Sequence, residues 1–277
     1  PAFYSTTNIY LTTSLRQLNP SSRRTPLIIS EIMYNPPGDD GTNSLEYIEI
    51  FNTSPVEEKI GGFRLSGDVD YTFPENQVLD ARSFVLVAGD PAAFAAAYGV
   101  AAAFGPFQGN LPNDAGRVRL RNHLDALLLQ IEYENRMPWP IAADGAGHSL
   151  LLSRPDYGEG LVQAWSSSHD VGGTPGAADP PTNSQLDAIA INEILAHTDL
   201  PQVDLIELYN YSSQAVDLAD CTLSDVPGQA KYIIPTGTVI AADGYIVLSQ
   251  TDVGFSLDAA GDEIFFGNPQ GTRVLDA

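Results

Sequence analysis

With 277 residues, 43% hydrophobic and 17% charged, the chain is long and apolar enough to bury one or two sizeable cores, which excludes bulk disorder. Thirteen basic against thirty-five acidic residues give a formal charge of −22, a body that repels phosphate backbones and excludes non-specific nucleic-acid binding. The lone Cys221 excludes an intrachain disulfide, and no apolar run reaches the roughly 18 residues that a membrane-spanning helix needs, so no membrane insertion is expected.

In chain order, residues 1–26 hold Arg16, Arg23 and Arg24 and no acid, so the remainder is more acidic still. This stretch reads as an N-terminal extension or the end of a preceding domain, and its "NIYLTTSL" has enough β-formers to dock on an open sheet edge. The start at Pro1, without Met or a signal peptide, predicts a segment of a longer precursor. From residue 27 short apolar blocks follow one another: "SEI" at 30–32, "LEYIEIFN" at 45–52, "FRLS" at 63–66, "YTFP" at 71–74 and "FVLV" at 84–87. Clusters of Gly, Pro, Asn and Asp separate them, the pattern of an all-β sandwich or barrel. One helix is predicted, in "DPAAFAAAYG": Asp90 caps it, Pro91 suits its first turn and Gly99 ends it.

The blocks then recur in order. "NEI" at 192–194, "VDLIELYN" at 203–210, "CTLS" at 221–224, "YIIP" at 232–235 and "YIVL" at 245–248 repeat the first set at offsets of 158 to 162. "GDEIFF" at 261–266 repeats "AGRVRL" at 115–120 at an offset of 146, which places the helix in an insertion of the first copy. Conserved order with drift only in the gaps marks a tandem duplication. The expected division is 27–178 for the first copy, an extended Pro-containing linker at 179–185, and 186–277 for the second. The strand at 126–133 would fall near 272–279 in the second copy, and nothing there matches the "MPWP…GTPG" stretch; the second copy is therefore expected to be C-terminally incomplete, with the natural chain continuing.

These blocks resemble the lamin tail domain family. The residues that carry the resemblance are "IISEIMYNPPGDD", "EYIEIFN", "GGFRLSGDVDYTFP", "SFVLVAGDPAAF" and "WSSSHDVGGTPGAAD" in the first copy, and "AINEI", "LIELYN", "LSD" and "YIIP" in the second. The resemblance implies two immunoglobulin-like β-sandwiches and a non-catalytic module of the kind attached to exported or cell-surface bacterial proteins, often beside hydrolases. A nuclear, chromatin-contacting role would suit a basic surface and is set aside.

Strand alternation places Ile48 and Ile50, like Ile206 and Leu208, inside the sandwich, and Tyr47, Glu49 and Phe51, like Leu205, Glu207 and Tyr209, on the other face. Asn52 and Asn210 end their strands, where an Asn side chain satisfies turn backbone; the overlapping "NTS" and "NYS" sequons are read as turns rather than glycan acceptors. Glu31, Glu49, Glu193 and Glu207 are the tempting acid–base or metal set, but recurrence in both copies favours a scaffold duty such as an ion pair or a loop cap.

Trp139 and Trp165 are read first as anchors of the sandwich and its closing segment, and second as ligand-binding platforms. Acidic loops with Asp39, Asp40, Asp68 and Asp70, and farther on Asp252, Asp258, Asp262 and Glu263, offer calcium its oxygens without matching a known calcium motif; a solvated acidic surface is the alternative. No other cofactor is expected. "GAGHSLL" at 145–151 fails the nucleophile-elbow pattern because Leu151 stands at the second glycine, leaving His148 and Ser149 as loop-to-strand residues. His123, His169 and His197 lack metal-ligand spacing, and Cys221 reads as a small core residue.

The expected function is a binding or spacer module, not an enzyme, in a larger exported or cell-surface bacterial protein. Its partners would be a protein or polysaccharide ligand and other domains of the same precursor. The alternatives are an accessory segment of a metal-dependent secreted hydrolase and a purely mechanical rod.

Overall fold

The computed structural model describes residues 25–37, 45–100, 103–181, 184–196 and 202–277; Asp39, Asp40, His197 and the "NIYLTTSL" stretch lie outside them. The first copy is a two-sheet antiparallel sandwich. One sheet orders its strands Trp165–Ser167, Leu150–Leu152, Leu27–Met33, Tyr47–Asn52 and Phe84–Ala88. The facing sheet runs Leu127–Glu134, Ala115–Arg121, Arg64–Gly67, Val69–Thr72 and Gln108–Gly109. Ile48 and Ile50 enter the core between the sheets together with Ile29, Leu65, Val118 and Ile131.

The second copy repeats this plan with fewer strands: Ile189–Leu195, Leu205–Asn210 and Tyr245–Ser249 in one sheet, and Tyr232–Ile233, Thr222–Ser224, Phe265–Gly267 and Val274–Asp276 in the other. Its separate core gathers Ile206, Leu208, Leu218, Leu223 and Phe266 around Cys221, whose thiol burial pushes up to about 12. Val274–Asp276 pairs with Phe265–Gly267 as Leu127–Glu134 pairs with Ala115–Arg121, so the strand expected near 272–279 is present in short form.

The duplication extends to register. Leu27 pairs with Asn52 and Glu31 with Glu49; Ile189 pairs with Asn210 and Glu193 with Glu207; a bulge interrupts both ladders, at Ser30 and at Asn192. Both hairpins end on the same lock. Asn52 Nδ2 donates to the carbonyls of Val56, Leu79 and Asp80 while its Oδ1 accepts from the Ser54 N–H. Asn210 does the same with Gln214, Ile240, Ala241 and Ser212. Both side chains are fully buried, so the turn uses every polar atom a glycan would need. Just before each strand a carboxylate also repeats its role: Glu46 accepts from the Leu111 N–H at 2.8 Å and Asp204 from the Leu257 N–H at 2.9 Å.

The expected helix forms at Pro91–Tyr98, with Asp90 accepting from the Ala92 and Ala93 N–H groups and Gly99 in the left-handed region. The expectation of one helix is corrected by a second, Gln250–Val253, which Ser249 and Asp252 cap reciprocally. It follows the Tyr245–Ser249 strand as the longer helix follows Phe84–Ala88, so the first copy's extra residues extend a turn that both copies possess.

The two copies touch directly. Ile141 and Ala146 of the first form an apolar cluster with Phe265 of the second, flanked by Val274 and Ala277. The Val171 N–H donates to the Thr272 carbonyl at 2.8 Å. Buried His148 bridges the same boundary: its Nε2 accepts from the Val274 N–H at 2.9 Å, so Nδ1 carries the proton and donates to the Ser168 carbonyl at 2.8 Å.

Asn52→Ala and Asn210→Ala should each destabilise their own copy by about 2–4 kcal/mol, because several buried carbonyls lose their donor at once. Chemical denaturation followed separately by Trp fluorescence, which reports the first copy, and by near-ultraviolet Tyr signals checks this.

Candidate functional site

Cross-strand partners share a face, so the Glu31–Glu49 pair puts two carboxyl groups side by side on the outer face of the first copy. That face is not solvated. The segment 168–177 crosses it, and Glu31 and Glu49 are both essentially inaccessible. Glu31 Oε1 accepts from the Tyr47 hydroxyl at 2.8 Å, the Ser149 hydroxyl at 2.5 Å and the Thr174 N–H at 2.9 Å. Glu49 accepts from the Ser30 hydroxyl at the bulge and, through Oε2, from the Gly176 N–H, each at 2.6 Å. Neither carboxyl has a cationic partner among the described residues. Two neighbouring carboxyl groups are thus turned into acceptors for alternate backbone N–H groups of the closing segment, the loop-capping form of the expected scaffold duty.

Packing completes the cover. Tyr47 sits edge-on to Phe94 and Tyr98 of the helix, and Met33, Leu86 and Ala88 fill the space between them. Gly173 has φ +73°, and a Cβ there would overlap Glu31 Oε1 and the Tyr47 hydroxyl, so the segment descends this far only because the residue is glycine. Burial, then the charge of Glu31, pushes the Glu49 carboxyl up to about 8, and burial raises Glu31 as well.

Among the described residues the second copy presents the same face without a cover. Glu193 and Glu207 are paired in the same register, and Asn192 Nδ2, at the bulge, donates to Glu207 Oε1 at 2.7 Å as Ser30 does to Glu49. Here Glu193 is exposed and Glu207 partly so. Val247 is 49% exposed where its counterpart Leu86 is 4% exposed, and Leu195 is 42% exposed where Met33 is fully buried. Tyr209 and Tyr245 stack across the strands at 4.5 Å between ring centroids, with Tyr245 56% exposed.

The remaining candidates are dispersed. Trp139 and Trp165 lie in the first core, their rings 6.4 Å apart, and Trp165 Nε1 donates to the Glu159 carbonyl at 3.0 Å. A stacking platform needs an open ring face, and neither indole offers one. Asp70 pairs with Arg64, and Asp68 accepts from the Arg117 N–H at 2.6 Å. A surface groove of about 320 Å³ is lined by Asp68, Arg117, Glu132 and Glu134, with Arg117 bonded to Glu132 at 2.7 Å. No group of three or more His, Cys, Asp or Glu side chains suited to a metal occurs among the described residues. Asp252 caps its helix, and Asp258 and Asp262 bond neighbouring backbone N–H groups. Ser149 and His148 are more than loop-to-strand residues: one binds Glu31 and the other ties the copies together, with both ring nitrogens of His148 committed to backbone. What the sequence reading missed was the carboxylate at 46 and 204 and the Ser30 and Asn192 partners. Their signal was available, since each sits at a repeated position.

Two antiparallel sheets packed face to face, twice over, define immunoglobulin-like sandwich domains compatible with a binding or spacer role. The family model described as Lamin Tail Domain matches residues 20–135 and 182–276, and the chain belongs to that family in two tandem copies. The match in the first copy ends before the closing segment. No curated protein matches the chain.

Two outcomes follow from the clamp. Gly173→Ala should lower the stability of the first copy by at least about 2 kcal/mol, through overlap and a strained positive φ, and leave the second copy's transition in place, as separate unfolding transitions would report. The second concerns pH. A carboxyl with a raised folded value is still protonated when the unfolded chain has released its proton, so stability is full below pH 4.5 and is lost as pH rises through about 8. His148, held neutral by burial below its ordinary value of 6.5, acts in the opposite sense as pH falls. The difference in melting temperature between wild type and Glu49→Gln isolates the carboxyl: the variant should gain relative to wild type between pH 5 and pH 8.

Proposed function

We propose that this chain is a non-catalytic binding module of a larger exported or cell-surface bacterial protein, with a protein or polysaccharide ligand and the precursor's other domains as its partners. The observation that carries the reading is the contrast between the copies. Both keep the paired glutamates and the strand words around them; the first seals that face with its own chain, and among the described residues the second exposes it, with stacked Tyr209 and Tyr245 beside Val247. Exposed aromatic and apolar side chains rimmed by acids suit ligand contact better than inert spacing. The formal charge of −22 keeps such a surface soluble and disfavours nucleic acid.

A spacer duty has its own support in the apolar cluster and backbone bonds between the copies, which favour a fixed angle between them. The two duties are compatible, since a held angle aims the open face. The metal-dependent alternative finds less support, because Asp70 is paired with the Arg64 guanidinium and Asp68 accepts from the backbone N–H of Arg117.

Antibody labelling of intact bacterial cells tests the location: labelling without permeabilisation is expected, and confinement to the cytosolic fraction would contradict the proposal. Millimolar calcium should leave the melting temperature unchanged in wild type and in Asp68→Asn/Asp70→Asn. A calcium-dependent rise in wild type, lost in the double variant, would restore the metal reading.

A further inference from the structure

We propose that His148 is a proton-operated latch between the two copies: as a neutral ring it holds them together, and a proton on its Nε2 releases one from the other. The inference rests on the contact between the copies and not on what the module binds. The second copy is gripped at Val274–Asp276, the last strand of its sheet. Thr272 and Val274, two residues apart, both give backbone groups to the first copy. The Val171 N–H donates to the Thr272 carbonyl at 2.8 Å, and the Val274 N–H donates to His148 Nε2 at 2.9 Å. The Gly172 N–H, bonded to the Gly147 carbonyl at 2.7 Å, keeps Val171 and His148 side by side. The neighbouring cluster of Ile141, Ala146 and Phe265 adds apolar contact, which is non-directional and fixes no angle by itself.

The chemistry of the ring makes this bond conditional. Neutral imidazole has one donor and one acceptor nitrogen, and His148 uses both, since Nδ1 donates to the Ser168 carbonyl at 2.8 Å. Imidazolium has two donors and no acceptor, so a protonated Nε2 meets the Val274 N–H donor to donor. His148 is fully buried, and neither donor reaches solvent unless the copies separate. Burial is the main influence that holds the closed ring below its ordinary value of 6.5, and a released ring regains that value. Of the charges nearby, Arg273, held by Asp187 at 2.5 Å, and His169 disfavour a charged ring, while Asp170, 3.1 Å from the His169 ring, favours it. Asp179 accepts from the His169 N–H, and Asp276 from the Ile191 N–H. Glu263 works in the opposite sense: burial and then Asp144 of the first copy raise it, so protonating it removes a repulsion across the boundary. Release is therefore linked to proton uptake by His148. The link is absent above pH 6.5 and favours release by about tenfold per pH unit below it, until the closed ring itself titrates.

The test follows amide hydrogen exchange of the full chain by magnetic resonance from about pH 7.5 to about pH 5, with protection corrected for the chemical exchange rate. Protection at the Val171 and Val274 N–H groups should fall by about tenfold per pH unit below 6.5, while the core ladders of each copy stay the more strongly protected. In His148→Gln, whose amide supplies an acceptor and a donor and cannot titrate, that fall should be abolished. In His169→Gln and Glu263→Gln it should persist. A fall that survives His148→Gln, or that disappears in either of the other variants, would assign the proton elsewhere and overturn the proposal. The wild-type chain decides even if His148→Gln does not fold: protection at Val171 and Val274 that is flat down to about pH 5, above the ordinary carboxylate range, would overturn it as well. So would core ladders no better protected than the junction, which would mean unfolding rather than release.

Discussion

Two glutamates facing each other across a strand pair cannot stay charged, bare and buried together. Each copy of this chain places such a pair at the centre of one sheet face, and the rest of the architecture follows from how the pair is handled. In the first copy the answer is a cover that brings hydrogen-bond donors: hydroxyls from Tyr47, Ser149 and Ser30, and backbone N–H groups from Thr174 and Gly176. These donors fix the path of the closing segment, although those of Tyr47, Ser149 and Thr174 converge on Oε1 of Glu31 and leave its buried Oε2 without a hydrogen-bond partner. The same segment then reaches the second copy through Val171, so the clamp that seals one sandwich also helps to set its junction with the next.

The second copy handles the same pair by leaving it in water. Glu193 is solvated, Glu207 keeps its Asn192 contact, and among the described residues no closing segment or long helix covers the face. Among the described residues the duplicated surface is therefore seen in two forms, covered in the first copy and uncovered in the second. That contrast is a better guide to function than any cluster of catalytic side chains. The carboxylates of the first copy are sealed from substrate, and the loop aspartates serve caps, turns and ion pairs.

Features set by near neighbours were legible before the structure. Period-two alternation placed Ile48, Ile50, Ile206 and Leu208 in the cores, and the Asn at each strand end locks its turn as the residue type suggests. The helix at Pro91–Tyr98 carried its Asp, Pro and Gly signals openly. The second helix carried a Ser-to-Asp capping box but is one turn long, too short for a periodic signal. What depended on distant contacts could not be read. Thr174 meets Glu31 across 143 residues, and Val274 meets His148 across 126; no local pattern at either end announces the other. For the same reason Tyr47 and Glu49 were assigned to the outer face correctly, while their burial beneath another segment was invisible. Repetition offered a route past this limit, since Glu46 and Asp204 hold equivalent places and equivalent bonds.

Native-state hydrogen exchange on the full chain tests most directly the claim that one copy is closed and the other open. The account predicts slow exchange at Glu31, Ile32, Thr174 and Gly176, and fast exchange on the unpaired side of the Glu193–Leu195 edge, with the buried ladders to Tyr47–Asn52 and Leu205–Asn210 protected in their respective copies. Equal protection of the two edges, or rapid exchange at Thr174 and Gly176, would contradict it.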